Sequence, residues 1–298
     1  MTLKLEGVFP PIPTPFDADG NLLLDKVKAN LALWNRTGLH GYVVLGSNGE
    51  AVMLAESEKA ALWEAARAAI PRDKLFLAGA GVESTRNCIA LAKRAAELGA
   101  DAAMFVTPNY YKAEMRPPAL INHYRAIADA SPIPTIIYNM PGATGIDIDA
   151  ATVIELAQHP NIIGIKDSSG NVAKFADIIR AVRSDFSVIA GSGSYFYPAL
   201  CIGAKGAVAA LANVAPRECL AIYAAFRAQQ HDQARELQLR LIRLNAAVTT
   251  RWNIPGLKAA LEELQQGFYG GPSRLPLRPL GDEDRRALRQ IMQDAGVI

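Results

Sequence analysis

A single lysine stands at the end of an apolar run, in a position where it could do chemistry. Lys166 closes the run Ile162–Lys166, and the polar turn Asp167–Gly170 follows it. Such a run is typical of a buried parallel strand, whose carboxyl end is where α/β sheets place their chemistry. A buried ammonium group usually either pairs with an acid or loses its proton. Lys166 is therefore either a structural cation, paired with Asp167 or another acid, or a nucleophile.

The nucleophile hypothesis requires partners, and the chain offers them. A neutral lysine condenses with a 2-oxo acid to give an iminium, which is an electron sink for breaking or forming a carbon–carbon bond. Tyr138, at the end of another apolar run, can relay protons, and the hydroxyl of Ser47 can link it to a second tyrosine. Because successive side chains of a strand alternate, Asp167 is expected on the face opposite Lys166. This alternation removes the nearest pairing partner of Lys166.

Eight apolar runs, most of them followed by a helical pattern, are expected to position these residues. The predicted strands lie within 7–16 and at about 41–45, 75–78, 102–106, 135–138, 162–166, 187–190 and 206–210. Alternating strands and helices predict a parallel sheet, and eight units predict a closed (β/α)8 TIM barrel, with an open doubly wound sheet as the alternative. We expect the barrel to span residues 1–215. Residues 216–298 are expected to form a C-terminal helical extension packed on the barrel.

In such a barrel, the residues that follow the strands share one face and one pocket. The candidates for chemistry there are Lys166, Tyr138 and Ser47, with Tyr110 and Tyr111 after the fourth strand. The candidates for substrate binding are Ser47, Asn48, Ser168, Gly191, Ser192 and Val208. Backbone N–H groups of the turn Gly46–Gly49 can hold the carboxylate of a 2-oxo acid.

The composition excludes several classes of function. Half of the 298 residues are hydrophobic, and 31 basic residues against 29 acidic ones leave a formal charge of +2. There is no basic block and no interleaving of basic and aromatic residues, so nucleic acid is not an expected partner. No apolar run approaches the roughly 18 residues of a membrane span, and the N-terminal region does not resemble a secretory signal. We therefore expect a cytoplasmic protein that binds a small molecule.

Neither a metal nor a disulfide framework is predicted. The three cysteines have no CxxC spacing, so they are expected to be reduced thiols: Cys88, Cys201 and Cys219. The four histidines lie on predicted helices or before strands and are interpreted as structural: His40, His123, His159 and His231. No metal-ligand spacing is present.

Two glycine pairs raise the question of a phosphate site. The segments Gly79–Gly81 and Gly191–Gly193 match neither GxGxxG nor a P-loop. A phosphate-binding barrel enzyme stays an alternative, because Ser192 and Ser194 follow the seventh strand.

Three motifs, in the right order and spacing, carry a resemblance that covers nearly the whole chain. They are the turn Gly46–Glu50, the segment Tyr138-Asn139-x-Pro141 and the strand end Gly164–Lys166. Through them the sequence resembles the dihydrodipicolinate synthase / N-acetylneuraminate lyase family of pyruvate-dependent class I aldolases. The resemblance implies a barrel and a covalent imine without any cofactor. It also implies a homotetramer built as a dimer of dimers.

The resemblance also implies roles for individual residues. Lys166 would be the Schiff-base lysine, Tyr138 the proton shuttle and Ser47 the relay. A second tyrosine would be lent across a dimer interface, and the spacing back from Tyr138 favours Tyr110, with Tyr111 as the alternative.

Within this family, several segments resemble the 4-hydroxy-2-oxoglutarate aldolase branch. They are Ala78–Thr85, Asn245–Thr249 and Tyr269–Pro272. The synthase branch carries an arginine in its fifth-strand loop that holds the second substrate's carboxylate, whereas here Ala143 stands in that loop. The resemblance therefore implies cleavage of 4-hydroxy-2-oxoglutarate to pyruvate and glyoxylate. The alternatives are a dihydrodipicolinate synthase, a 2-keto-3-deoxy sugar-acid aldolase and a catalytically silent pyruvate-binding homologue.

Overall fold

The computed structural model describes residues 3–298 and has a closed barrel of eight parallel strands at its centre. The strands are β1 Gly7–Phe9, β2 Gly41–Val44, β3 Leu75–Gly79, β4 Ala102–Val106, β5 Thr135–Asn139, β6 Ile162–Asp167, β7 Ser187–Ala190 and β8 Gly206–Val208. Each strand pairs with its sequence neighbour, and β8 returns to pair with β1. Between β1 and β2 the ring is closed by a parallel bridge of Pro11 with Val43. The predicted TIM barrel is thus confirmed.

Within the described residues, twelve α-helices surround and extend the barrel. They are α1 Leu24–Trp34, α2 Glu56–Ala69, α3 Thr85–Glu97, α4 Pro117–Ala130, α5 Pro141–Thr144, α6 Ala150–Leu156, α7 Val172–Ala181, α8 Phe196–Cys201, α9 Pro216–Arg227, α10 His231–Ala246, α11 Asn253–Glu263 and α12 Asp282–Asp294. Capping side chains begin several of them: Ser84 accepts from the N–H of Asn87 at the start of α3, and Asp149 accepts from Thr152 at the start of α6.

Some element boundaries differ from the predicted ones for identifiable reasons. The first strand ends at Phe9 because the prolines that follow cannot donate ladder hydrogen bonds. The eighth strand ends at Val208, since a 3-10 turn begins at Ala210. A short helix, α5, occupies what was predicted to be a plain loop after β5.

The C-terminal helices pack on the barrel through one continuous apolar cluster that includes both Val8 and Ala295. Helix α9 contacts β1 and α8, and α10 contacts the 3-10 turn Gly193–Tyr195 after β7. A five-residue π-helix, Ala247–Arg251, joins α10 to the segment before α11. The boundary between the barrel and the C-terminal extension at residue 215 stays a prediction. The predicted start of the barrel at residue 1 lies outside the described residues.

The barrel interior has its own apolar cluster, separate from the layer between strands and helices. Met104, Tyr138, Ile163 and Val208 belong to it, together with residues from most other strands. Side chains fill the barrel, so the chemistry is confined to its carboxyl-terminal mouth.

A β-bulge in β6 decides which side chain faces the interior. Thr135 pairs with Ile162 but the next residue, Ile136, pairs with Gly164, so Ile163 is an extra residue in β6. Bulges re-aim the side chains that follow them. With strict alternation from Ile162, whose side chain faces the helices, Lys166 would also face outward. The bulge shifts the phase, and Lys166 pairs with Tyr138 on the inner face.

The three cysteines are all free thiols, and Cys88 and Cys219 are buried. Burial raises the pKa of the Cys88 thiol to about 11. None of the helices in residues 3–298 combines the length and the apolar character needed to cross a membrane.

Replacing Gly164 by alanine tests the close approach of β6 and β7 beside the bulge. An ideal Cβ at Gly164 would lie 2.4 Å from the carbonyl oxygen of Ser187, so the two strands would have to separate. We expect Gly164→Ala to lower the free energy of unfolding by about 1–3 kcal/mol through overpacking, measured by chemical denaturation. The matched control is Gly142→Ala, where a Cβ meets nothing within 4 Å. Equal stability of the two variants would contradict this account of the contact between β6 and β7.

Candidate active site

Lys166 lies buried at the mouth of the barrel, with its amine against an aromatic ring. The residue is 3% exposed, and its Nζ lies 3.9 Å from the ring centroid of Tyr138. Within residues 3–298 the amine forms no ion pair, whereas the buried Lys174 and Lys258 each do. A buried amine that no acid pairs with is a candidate nucleophile.

Tyr138 connects this amine to the turn after β2. Its hydroxyl lies 3.1 Å from Oγ of Ser47 and 3.0 Å from the sulfur of Met140. Either of the two hydroxyls can donate to the other, which is the contact that a proton relay between them requires. A cavity of about 50 Å³ opens beside them, between the ends of β2, β3, β4 and β5. The fold thus brings together three of the predicted site residues: Lys166, Tyr138 and Ser47.

The turn that carries Ser47 has an unusual backbone. Leu45 and Glu50 flank it with φ angles of 66° and 56°, in the left-handed region that non-glycine residues rarely adopt. Such conformations cluster at functional sites and require support from their surroundings. Part of this support is the hydroxyl of Thr14, which donates to the carbonyl of Gly49 at 2.6 Å.

A buried ion pair holds the other end of this turn. Oε1 of Glu50 lies 2.5 Å from Nζ of Lys258, and both side chains are at most 1% exposed. Oε2 of Glu50 accepts from the backbone N–H of Arg274 at 2.8 Å. Burial lowers the pKa of Lys258, and the neighbouring Glu50 acts in the opposite direction. The turn after β2 is thereby tied to α11 and to the glycine- and proline-rich segment 267–279.

Arg274 completes this anchor from the C-terminal segment. Its guanidinium donates to Glu58, at the start of α2, and to the carbonyl oxygens of Gly20 and Met53. The hydrogen bond and charge of Glu58 raise the pKa of Arg274, and the same contact lowers the pKa of Glu58. One side chain therefore joins the loops after β1 and β2.

A second polar network lies behind the lysine, on the outer face of β6. The carboxylate of Asp167 is fully buried and lies 2.7 Å from Nζ of Lys174 on α7. The amide of Asn139 donates to Asp167 at 2.9 Å and to Asp147 at 2.6 Å. The Tyr195 hydroxyl donates to the carbonyl of Asp167, and burial raises the pKa of Tyr195. Asp167 therefore faces away from Lys166, as alternation predicted.

The remaining substrate-binding candidates surround the ends of β6, β7 and β8. The hydroxyl of Ser168 is buried without a hydrogen-bond partner in the described chain, and it lies against Gly191, where a Cβ would come within 2.0 Å of it. Ser192 accepts from the amide of Asn245 at 3.2 Å. Val208 lies inside the barrel in the same cluster as Tyr138.

Three of the predicted residues are not packed against Lys166. Asn48 is half-buried in the 3-10 turn Ser47–Gly49. Tyr110 and Tyr111 project from the loop after β4 and are 78% and 71% exposed, with their rings edge to face at 5.0 Å. The roles given to these residues stay predictions.

The supporting networks were missed at the level of sequence. Lys258 is a lone lysine within the apolar stretch Gly256–Leu261, which is the same signal that drew attention to Lys166. Asn245 was noted only as part of a family resemblance, although its amide reaches Ser192. The long separation between Glu50 and Arg274 left no sequence signal for their hydrogen bond.

Among the described residues, no three histidine, cysteine, aspartate or glutamate side chains are arranged to hold a metal ion. The four histidines pack with nearby elements instead: for example, Nδ1 of His123 lies 2.8 Å from the hydroxyl of Thr85. Burial lowers the pKa of His123 to about 4.

Comparison with known proteins agrees with this geometry. The family model described as the dihydrodipicolinate synthetase family matches residues 4–295. An uncharacterised DapA-like lyase of Halobacterium salinarum is 36% identical, covering 99% of this chain and 96% of that protein. A 4-hydroxy-tetrahydrodipicolinate synthase of Methanothrix thermoacetophila is 36% identical, over 96% of this chain and 95% of that protein.

A solved structure is also similar over the whole chain. It is the chloride-inhibited dihydrodipicolinate synthase from Acinetobacter baumannii, complexed with pyruvate. It is 34% identical, the match covers 99% of this chain and 100% of that one, and the TM-score is 0.93.

Replacing Glu50 by glutamine tests the ion pair that holds the turn. We expect Glu50→Gln to lower the free energy of unfolding by about 3–5 kcal/mol, because the Lys258 ammonium would stay buried without a counter-charge. Chemical denaturation measures this change. The double variant Glu50→Gln/Lys258→Met is expected to recover much of the loss.

An exposed ion pair provides the matched control. Glu97 pairs with Arg94 on the surface of α3, and its side chain is 64% exposed. Glu97→Gln is expected to change the free energy of unfolding by less than about 1 kcal/mol. If the double variant at Glu50 and Lys258 were as unstable as the sum of the single variants, the ion pair would not be the stabilising interaction.

Proposed function

The chain belongs to the dihydrodipicolinate synthetase family and is a carbon–carbon lyase, and from this premise we propose that it cleaves 4-hydroxy-2-oxoglutarate to pyruvate and glyoxylate. The observation that carries the proposal is the buried amine of Lys166, without an ionic partner in the described residues, beside the hydrogen-bonded hydroxyls of Tyr138 and Ser47. The segments that resemble the 4-hydroxy-2-oxoglutarate aldolase branch support this choice of substrate.

The proposed reaction begins with attack of Lys166 Nζ on C2 of the substrate. Water leaves, and the resulting iminium is the electron sink. The 4-hydroxyl then loses its proton to Tyr138, directly or through a water, and the C3–C4 bond breaks. The electron pair of that bond moves into the iminium to give an enamine, and glyoxylate departs. Protonation at C3 and hydrolysis of the imine release pyruvate and the free lysine.

The scheme needs neither a metal nor an organic cofactor, because the lysine imine accepts the electrons. The backbone N–H groups of the turn after β2 would hold the carboxylate next to the keto group. Ser47 would pass protons to Tyr138, from which its hydroxyl lies 3.1 Å away. We assign Asn48, Ser168, Gly191, Ser192 and Val208 to the pocket as substrate-binding residues, which stays a proposal.

A second reaction is supported by the names of the relatives. Several are called 4-hydroxy-tetrahydrodipicolinate synthase, which favours condensation of pyruvate with aspartate semialdehyde. Against it stands the loop Pro141–Gly145 after β5, where Ala143 is exposed and no residue is basic. A sugar-acid aldolase stays a further alternative. A silent pyruvate-binding homologue is disfavoured, since the lysine, tyrosine and serine are all in place.

We also propose that the protein is a homotetramer in the cytoplasm. Tyr110 and Tyr111, in the loop after β4, are largely exposed at the mouth. Val52, in the loop after β2 that also carries Ser47, is 89% exposed. Exposed aromatic and apolar side chains at one face are typical of subunit interfaces. A partner copy covering this face would bring its own Tyr110, or alternatively Tyr111, toward the Ser47–Tyr138 pair.

Trapping with borohydride tests the covalent step. Incubation with pyruvate and borohydride is expected to add a reduced pyruvyl group to Lys166, located by peptide mass spectrometry. Lys166→Met should abolish the adduct, and Tyr138→Phe should slow its formation by about 10²–10⁴-fold with the fold retained. Folded wild-type protein that forms no adduct would rule out the imine mechanism.

A direct comparison of substrates tests the reaction assigned to the site. We expect kcat/KM for cleavage of 4-hydroxy-2-oxoglutarate to exceed kcat/KM for condensation of pyruvate with aspartate semialdehyde. The physical reason is that the loop Pro141–Gly145 itself has no basic residue, so the arginine position at which the synthase branch holds the carboxylate of its second substrate is vacant of charge. Release of pyruvate and consumption of aspartate semialdehyde are both measurable in coupled assays. Faster condensation would establish the synthase reaction instead.

A further inference from the structure

We propose that Lys112 binds the distal carboxylate of a dicarboxylic 2-oxo acid, the one remote from the keto group. This inference rests on the proposed function and assigns a specificity residue to the same site. Lys112 begins the 3-10 turn Lys112–Glu114 in the loop after β4, directly after the exposed tyrosine pair.

The side chain of Lys112 lies over the loop that follows β5, the strand that carries Tyr138. An ideal Cβ built on Gly145 would lie 3.1 Å from Nζ of Lys112 and 3.5 Å from its Cδ and Cε. Gly145 has φ of +69°, a conformation that glycine adopts without strain. The absence of a side chain at Gly145 thus leaves the space in which the lysine lies.

Lys112 is one of very few cations near the mouth. Of the eight loops that follow the strands, only the loop after β4 contains basic residues, and these are Lys112 and Arg116. The guanidinium of Arg116 donates to the carbonyl of Ala113 in its own loop, 3.1 Å away. In the described chain Lys112 forms no ion pair, so binding an anion breaks no existing interaction.

Three basic residues of the C-terminal region are already engaged. Lys258 is buried against Glu50, and Arg274 is held by Glu58. The guanidinium of Arg251 stacks over the ring of Trp252 at 4.1 Å. Lys166 itself is consumed by the imine. Lys112 is therefore a charged group at the mouth that is available for a second carboxylate.

A second carboxylate requires such a partner. One carboxylate of the substrate would be held by backbone N–H groups of the turn after β2. Without a cation near it, the distal carboxylate would lose bound water on entering the site and gain no charged partner in return. Hydrogen bonds between an ammonium and a carboxylate are roughly twice as strong as neutral ones. An exposed ammonium brings this interaction with little cost of desolvation, and salt would weaken it.

The test compares two five-carbon 2-oxo acids that differ at the distal end. 2-Oxoglutarate carries the second carboxylate, and 2-oxopentanoate carries a methyl group in its place. Each is trapped on Lys166 with borohydride, and the half-saturating concentration is measured by mass spectrometry. We expect wild type to favour 2-oxoglutarate and Lys112→Met to raise its half-saturating concentration about 10-fold. The values for 2-oxopentanoate and pyruvate should not change.

Two further variants separate charge from structure. Lys112→Arg keeps the charge and is expected to stay within a few-fold of wild type for 2-oxoglutarate. Lys93→Met removes an exposed lysine of α3, away from the mouth, and should match wild type throughout. A thermal melt of each variant checks that the fold is retained.

The outcomes distinguish this inference from the proposed function. If Lys112→Met keeps the wild-type preference, or if wild type traps both acids equally, Lys112 does not bind the distal carboxylate, while a pyruvate adduct would still support the imine mechanism. If no 2-oxo acid is trapped at all, the imine mechanism fails, and the role given to Lys112 fails with it.

Discussion

The ion pair between Asp167 and Lys174 keeps a carboxylate out of the barrel interior at the point where Lys166 enters it. Lys166 and Asp167 are neighbours in the sequence, but their side chains face opposite sides of the sheet. If the carboxylate faced inward, it would pair with the amine of Lys166 and stabilise its charged form. The carboxylate of Asp167 instead belongs to an outer network with Asn139, Asp147 and Lys174. Lys166 is therefore left without an acidic partner from its own strand.

Two buried lysines of this protein illustrate how surroundings determine what a lysine does. Lys258 lies against Glu50 with Nζ donating also to the carbonyl of Pro272, which satisfies its charge and makes it structural. The amine of Lys166, in contrast, lies over the ring of Tyr138 and has no ion pair within residues 3–298. A buried pair of charges contributes little net stability, but removal of one member is costly. Lys258 therefore holds the turn after β2 in place, whereas Lys166 is available for the imine chemistry proposed for it.

Much of this could be predicted from the sequence, because strand ends in an α/β barrel converge whatever the details of packing. The eight apolar runs and the placement of Lys166 beside Tyr138 and Ser47 followed from that rule. The bulge at Ile163 could not be predicted, since it depends on the register of two strands rather than on either one alone. The anchors Lys258 and Arg274 were missed for a related reason: their partners lie more than 200 residues away, and Arg274 bonds Glu50 across 224 positions.

This long-range anchor has a consequence for how the protein is made. Synthesis proceeds from the N-terminus at about 5–20 residues per second, and N-terminal parts fold first where they can. The turn that carries Ser47 is complete early in synthesis, yet the lysine and the backbone N–H that satisfy Glu50 come from the last sixth of the chain. In the nascent barrel, Glu50 must therefore lie without Lys258 and the N–H of Arg274 until almost all of the chain has left the ribosome. An ordered mouth of the barrel is therefore expected only at the end of synthesis.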